Sequence, residues 1–193
     1  MKLTEDLAKQ LLREEGLPVP EGVATDTARD AGRVAAEFGG VIAVKALVAA
    51  GRRGKSGLVS LVEGSDAAES AAAGMLGRNT PAGHVARVYI EKGAEISSEL
   101  YLAFSFDDRT PMLTLSCDGG VEIEDVHRNT PERIVTVAID PLAGLRSWEA
   151  IEHWSRAGLT GRPLAEVGRL TARLWRAFVA LDAIMLEVNP LAL

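Results

Sequence analysis

The amino-acid sequence predicts an α+β protein, on three observations. Short apolar, β-branched runs recur along the chain and alternate with polar positions, as strands do that bury one face. Longer stretches between them repeat apolar residues at three- and four-residue spacing, as helices do that pack on one side. Gly, Pro, Asn and Asp punctuate the junctions. A length of 193 residues with 47% hydrophobic and 25% charged residues is enough for one large domain or two small lobes with real cores.

Residues 4–15 read as a helix: Thr4 suits the cap, Glu5 and Asp6 suit the first turn, Leu7, Leu11 and Leu12 share a face, and Gly16 ends it. After an extended entry at Pro18 and Pro20, a short strand at 23–25 precedes a helix over 27–38 with Ala31, Val34, Ala35 and Phe38 on one side. Residues 65–76 form a helix of small residues and 77–83 a loop. Strands follow at 85–91, 99–106 and 112–117, the last two joined by the turn DDRTP. An acidic, glycine-led segment covers 118–124, another strand 134–139, and helices 147–157 and 163–182. The run Ile184-Met185-Leu186-Glu187-Val188-Asn189-Pro190-Leu191 closes the chain.

One stretch resists a reading by packing alone. Residues 41–62, VIAVKALVAAGRRGKSGLVSLV, place Lys45 inside an apolar strand pattern and follow it with three glycines and three cations. A lysine taken out of water needs an anion, and glycines let backbone N–H groups approach phosphate oxygens while Arg52, Arg53 and Lys55 add positive charge. The stretch reads as strand, phosphate-cradling loop and returning strand. A P-loop fits less well, because Ala49 stands where that motif needs glycine and a strand pattern, not a helix, follows Gly57. A hairpin with a merely solvated basic tip is the alternative.

The net charge of −6 argues against a nucleic-acid or membrane-surface partner. Cys117 is the only cysteine, which excludes an internal disulfide and suits a reducing, cytoplasmic compartment, with a buried structural thiol as the simplest role. No stretch approaches the roughly 20 apolar residues of a membrane span, and the acidic, amphipathic start is unlike a signal peptide. His84, His127 and His153 show no metal-ligand spacing. Trp148, Trp154 and Trp175 fall in helical patterns as packing or interface residues.

Taken together and in order, the helix followed by GLPVP, the VKALVAAGRRGKSGLV loop, IEKGAEISSELYLAF, DGGVEIE and LEVNPLAL resemble the ATP-grasp domain of succinyl-CoA synthetase β subunits and of related ADP-forming carboxylate–CoA ligases, including malate–CoA ligase and ATP-citrate lyase. The resemblance covers essentially the whole chain. It implies an ATP-grasp fold of two α+β lobes, roughly 20–92 and 93–193, with the nucleotide site between them and the helix 4–15 packing on the second. Lys45 would meet the nucleotide phosphates, Arg52, Arg53 and Gly54 would lie over them, and Glu91 and Glu99 would contact the nucleotide. Asn189 would be a magnesium ligand, and Glu187 beside it would receive or orient a phosphohistidine.

The implied cofactors are ATP or ADP with Mg²⁺. The implied partner is an α-like subunit or domain carrying the CoA site and the phosphohistidine, with a small carboxylic acid and CoA as further substrates. Arg52 departs from the glycine usual there, and the hairpin with a second magnesium ligand and the C-terminal CoA-ligase domain are expected to be absent. A fragment, or a subunit completed by another chain, is the expectation that follows. A non-catalytic nucleotide-binding or scaffold module is the alternative function. Each residue also has an ordinary reading: Glu91 as a solvated strand end, Glu99 paired with Lys92, Asn189 as a turn residue before Pro190.

Overall fold

A computed structural model of the chain describes residues 1–48, 57–81, 83–120 and 123–193, without the side chains of 124 and 125. Two compact units make up the chain, Met1–Glu95 and Ile96–Leu193.

The first unit runs α1 (Glu5–Glu14), β1 (Gly22–Thr25), α2 (Ala28–Phe38), β2 (Val41–Ala46), β3 (Val59–Glu63), α3 (Ser65–Met75), the short ribbon β4 (Asn79–Thr80) and β5 (Gly83–His84), and β6 (Val88–Lys92). Its antiparallel sheet has the order β1-β6-β2-β3. Alternation along β2 and β6 sends Ile42, Val44, Ala46, Val88 and Ile90 into one core with Ala31, Val34 and Ala35 of α2 and Ala68, Ala72 and Met75 of α3. Small residues bring the two helices together: a Cβ on Gly32 of α2 would stand 3.1 Å from the Ser65 carbonyl oxygen. Helix α2 begins where Thr27 Oγ1 accepts the Asp30 N–H at 3.1 Å, a cap that typically contributes about 1 kcal/mol.

The same alternation leaves Ala43, Lys45, Tyr89 and Glu91 on the opposite face of this sheet. Helix α1 is held there by side-chain ion pairs and has no fully buried residue of its own. Expected to pack on the second lobe, α1 belongs instead to the first unit, because its polar face carries the partners that Lys45 and Glu91 require. Thr4 occupies its N-cap position without a side-chain cap hydrogen bond.

The second unit runs β7 (Glu99–Asp107), β8 (Thr110–Ser116), α4 (Ile123–Asn129), a single 3₁₀ turn at Pro131–Arg133, β9 (Ile134–Ala138), α5 (Ser147–Arg156), α6 (Pro163–Ala180) and β10 (Leu186–Ala192). Its antiparallel sheet has the order β10-β7-β8-β9. Phe104 of β7 lies 5.5 Å from both Trp175 and Phe178 of α6, measured between ring centroids. Trp154 is fully buried and donates its indole N–H to Thr171 Oγ1 at 2.7 Å, while that hydroxyl donates to the Val167 carbonyl at 2.8 Å. The two polar side chains buried at this contact, Trp154 and Thr171, thus satisfy one another. Gly168 lets α6 approach α5, since a Cβ there would stand 2.9 Å from the Ile151 backbone nitrogen.

The structure adds α4, whose residues show no apolar period, and the ribbon β4–β5 in a segment read as loop. Trp154 and Trp175 are packing residues, whereas Trp148 is 58% exposed. Replacing Phe178 by Ala should lower the stability of the second unit by about 3 to 5 kcal/mol, while Trp148→Ala should stay within about 0.5 kcal/mol. Urea unfolding read by tryptophan fluorescence and circular dichroism measures both, and equal losses would contradict this assignment of the core.

Candidate functional site

Four charged side chains of the first unit form a closed ring. Lys45 Nζ donates to Glu91 Oε1 at 2.7 Å and to Glu5 Oε1 at 2.9 Å. Lys9 Nζ donates to the same Glu5 oxygen at 2.8 Å and closes the ring on Glu91 Oε2. Each lysine therefore touches both glutamates, and the formal charges cancel. Side-chain exposures of 9% for Glu91 and 19% for Lys45 keep most water away, so the four charges interact far more strongly than they would on an open surface. Lys9 also stands 5.6 Å from the centroid of the Tyr89 ring, within cation–π range. Gly22, paired with Glu91 across β1 and β6, has no side chain because a Cβ there would overlap the Tyr89 ring.

Burial acts to lower the Lys45 pKa, and the Glu5 and Glu91 carboxylates together outweigh it, so the ammonium is held above its ordinary value of 10.5. This lysine remains charged throughout the neutral range. Arg52, Arg53 and Gly54 lie outside the described residues.

In the second unit the turn after β8 gathers the other candidates. Gly120 N–H donates to Asn189 Oδ1 at 2.8 Å, and Gly119 N–H donates to the Glu99 carbonyl at 2.8 Å. A Cβ on Gly120 would overlap the Glu99 carboxylate, and its φ of +69° is in the left-handed region that favours glycine. Glu99 and Asn189 are thus brought to one glycine turn. On β10, the pairing with β7 shifts by one residue between Val188 and Leu191, a bulge at Asn189 and Pro190, whose peptide bond is cis. Glu187 precedes Asn189 by two residues, and both are exposed on the strand face opposite the partly buried Leu186 and Val188.

Hard oxygen donors suit magnesium, and Asn189 Oδ1 with the Glu187 carboxylate offers that chemistry, with nucleotide phosphates able to supply further oxygens. Among the described residues no three His, Cys, Asp or Glu side chains converge as a metal-binding group. Cys117 is half-buried, and burial followed by the neighbouring Asp118 charge pushes its thiol upward, which disfavours the reactive thiolate. Arg133 grips that Asp118 carboxylate through both oxygens at 2.9 Å.

A model of the ATP-grasp domain matches residues 2–193. The chain belongs to the ATP-grasp family. This ATP-grasp chain is 40% identical over 193 residues to the β subunit of ADP-forming succinate–CoA ligase from Rubrobacter xylanophilus, a match covering 99% of this chain and 50% of that protein. It therefore spans about half the length of that relative, and of the corresponding Persephonella marina subunit, of which it covers 52% at 38% identity.

Two solved structures share the fold. One is dinucleotide forming acetyl-coenzyme A synthetase 1 of Ca. Korarchaeum cryptofilum in complex with coenzyme A and Ca-AMPCP, at TM-score 0.79 and 19% identity over 98% of this chain and 86% of that one. The other is ATP citrate lyase of Methanothrix soehngenii in complex with citrate and coenzyme A, at TM-score 0.73 and 21% identity over 99% of this chain and 47% of that one. The α+β class and the ATP-grasp fold read from the sequence are those of the structure. No helix among the described residues is long and apolar enough to cross a membrane.

Glu5 and Lys9 are the members of the site that sequence reasoning missed. Their signal was the four-residue spacing of Glu5, Lys9 and Arg13 along α1, which lines charge along one face of the helix. A lysine whose folded pKa is raised contributes stability that is complete below its ordinary pKa of 10.5 and is lost as pH rises through the folded value. The unfolding free energy should fall above about pH 10.5 and fall less steeply in Lys45→Met; an identical alkaline slope in denaturant titrations of the two proteins would remove the pairing as its cause.

Proposed function

We propose that this chain is the nucleotide-binding component of an ADP-forming carboxylate–CoA ligase of the succinate–CoA ligase kind. The observation that carries the reading is a permanently charged, mostly buried Lys45 fixed beside Glu91 in a chain of the ATP-grasp family. Isolated buried ammonium groups are costly, and a core residue would have served the strand as well. Glu5 and Glu91 balance the Lys45 charge in the free chain, and the ammonium N–H they leave over can donate to an anionic ligand.

In this reading Lys45 binds nucleotide phosphate oxygens and Glu91 accepts hydrogen bonds from the nucleotide, with Arg52, Arg53 and Gly54 completing the phosphate contacts. Glu99 makes a further nucleotide contact, and Asn189 offers Oδ1 to Mg²⁺, held in position by the Gly120 N–H. Bound Mg-ATP would supply the phosphoryl group to be transferred. Glu187 orients an acceptor histidine borne by an α-like partner; from that histidine the phosphoryl group would pass to a carboxylic acid, and the CoA thiol would displace phosphate from the acyl phosphate to give the thioester in the complete assembly. The protein's own part is orientation and charge stabilisation. Support for the partner histidine comes from a fold relative: Ca. Korarchaeum cryptofilum acetyl-coenzyme A synthetase 1 was solved with Mg-AMPPCP and a phosphohistidine segment pointing towards the nucleotide binding site, at TM-score 0.70. Cytoplasmic location fits a ligase of this kind.

Calorimetric titration with Mg-ADP tests the reading. The chain should bind saturably, and at 100 times the dissociation constant the ligand should stabilise it by about 2.7 kcal/mol. Lys45→Ala should abolish both signals. Absence of binding at millimolar Mg-ADP, or undiminished binding by the variant, would overturn the site.

A further inference from the structure

The ring of charges assigns a task to the N-terminal helix. We propose that Glu5 and Lys9 of α1 are positioning residues of the nucleotide site: Glu5 fixes the Lys45 ammonium, and Lys9 fixes the Glu91 carboxylate. This rests on the reading of Lys45 and Glu91 as nucleotide contacts.

The geometry is specific on each side. A lysine ammonium has three N–H groups, and among the described residues two of those on Lys45 go to carboxylate oxygens of Glu5 and Glu91. Two fixed hydrogen bonds orient the remaining N–H, which is the one a phosphate oxygen would accept. Without Glu5 a single carboxylate opposes the desolvation that works against the charged form, and the long side chain regains rotational freedom. Glu91 likewise gives Oε1 to Lys45 and Oε2 to Lys9, so its carboxylate plane is set by two cations on different elements, β2 and α1. Tyr89 supports Lys9 from beneath.

Position in the helix strengthens the assignment. Glu5 and Lys9 are one helical turn apart and paired to each other as well as to the sheet, so neither can shift without the other. Apolar contact alone is a weak account of the docking, since α1 buries no residue completely, Leu7 is 44% exposed and Ala8, Leu11 and Leu12 are only half-buried. What α1 brings to the sheet is charge, placed on the two residues assigned to nucleotide.

A structural role for α1 and a positioning role make different predictions, and a neighbouring ion pair separates them. Asp6 on the same helix pairs with Arg87 at 3.0 Å and is not a member of the ring. Mg-ADP affinity is measured by calorimetry at a temperature where circular dichroism shows each variant folded. Glu5→Gln and Lys9→Met should each bind about tenfold more weakly, Lys9→Arg should recover to within about twofold because it keeps the cation, and Asp6→Asn should bind as the parent does. Parent-like affinity in Glu5→Gln and Lys9→Met overturns the inference and leaves the nucleotide site standing. An equal loss in Asp6→Asn overturns it in favour of simple helix docking. Tighter binding by Glu5→Gln overturns it by making Glu5 a competitor of phosphate. A parent chain that binds no Mg-ADP removes the nucleotide site and this inference together.

Discussion

A single, mostly buried ammonium group, that of Lys45, constrains the first unit. Strand β2 must turn Ile42, Val44 and Ala46 into the helix-covered core, so its period of two puts Lys45 on the other face beside Ala43. That face cannot be closed by an apolar helix without stranding the charge. Glu91 arrives from β6, and α1 brings a second carboxylate and a second cation, which leaves the ring neutral. Gly22 follows from the same arrangement: Tyr89, supporting Lys9, fills the space its side chain would need.

The second unit solves a different problem, the presentation of oxygen atoms. A bulge on β10 interrupts pairing at Asn189 and Pro190, and the Gly119–Gly120 turn meets it from the end of β8. Backbone amides there hold the Glu99 carbonyl and the Asn189 side-chain oxygen, so both are set by main chain instead of by long flexible side chains. The same unit has an aromatic core of Phe104, Trp175 and Phe178 and the buried Trp154–Thr171 hydrogen bond. A rigidly packed sheet and a glycine turn together are a workable way to hold oxygen donors at fixed positions.

Much of this was legible in the residues. The α+β class followed from alternation and periodicity, and Lys45 stood out because a cation inside a β-branched run has no packing explanation. The oxygen-bearing candidates came from family resemblance and not from spacing, and Lys45 with Glu91, and Glu99 with Asn189, do share local surroundings. Less legible were the features that depend on distant residues. Glu5 and Lys9 looked like ordinary helix-surface charges, because nothing local tells a solvated glutamate from one that meets a lysine 40 residues away. Helix α1 was assigned to the wrong lobe for the same reason: its leucines suggested apolar docking, while its charges decided the outcome. Helix α4 carries too few apolar residues for a period to show.

The strand order of the first sheet also dictates a timetable. Strand β6 is the last strand of that sheet in sequence, yet it lies between β1 and β2, and β1 pairs with no other strand of the sheet. A chain emerging from the ribosome therefore holds β1 idle until residues 88–92 have been made, with only the β2–β3 hairpin available beforehand. The Lys9–Glu91 link spans 82 residues and completes at the same moment. Closure of the sheet and assembly of the charge ring are thus one late, non-local event, of the kind whose entropic cost slows folding. The nascent protein gains a fully paired Lys45 only when the first unit is whole.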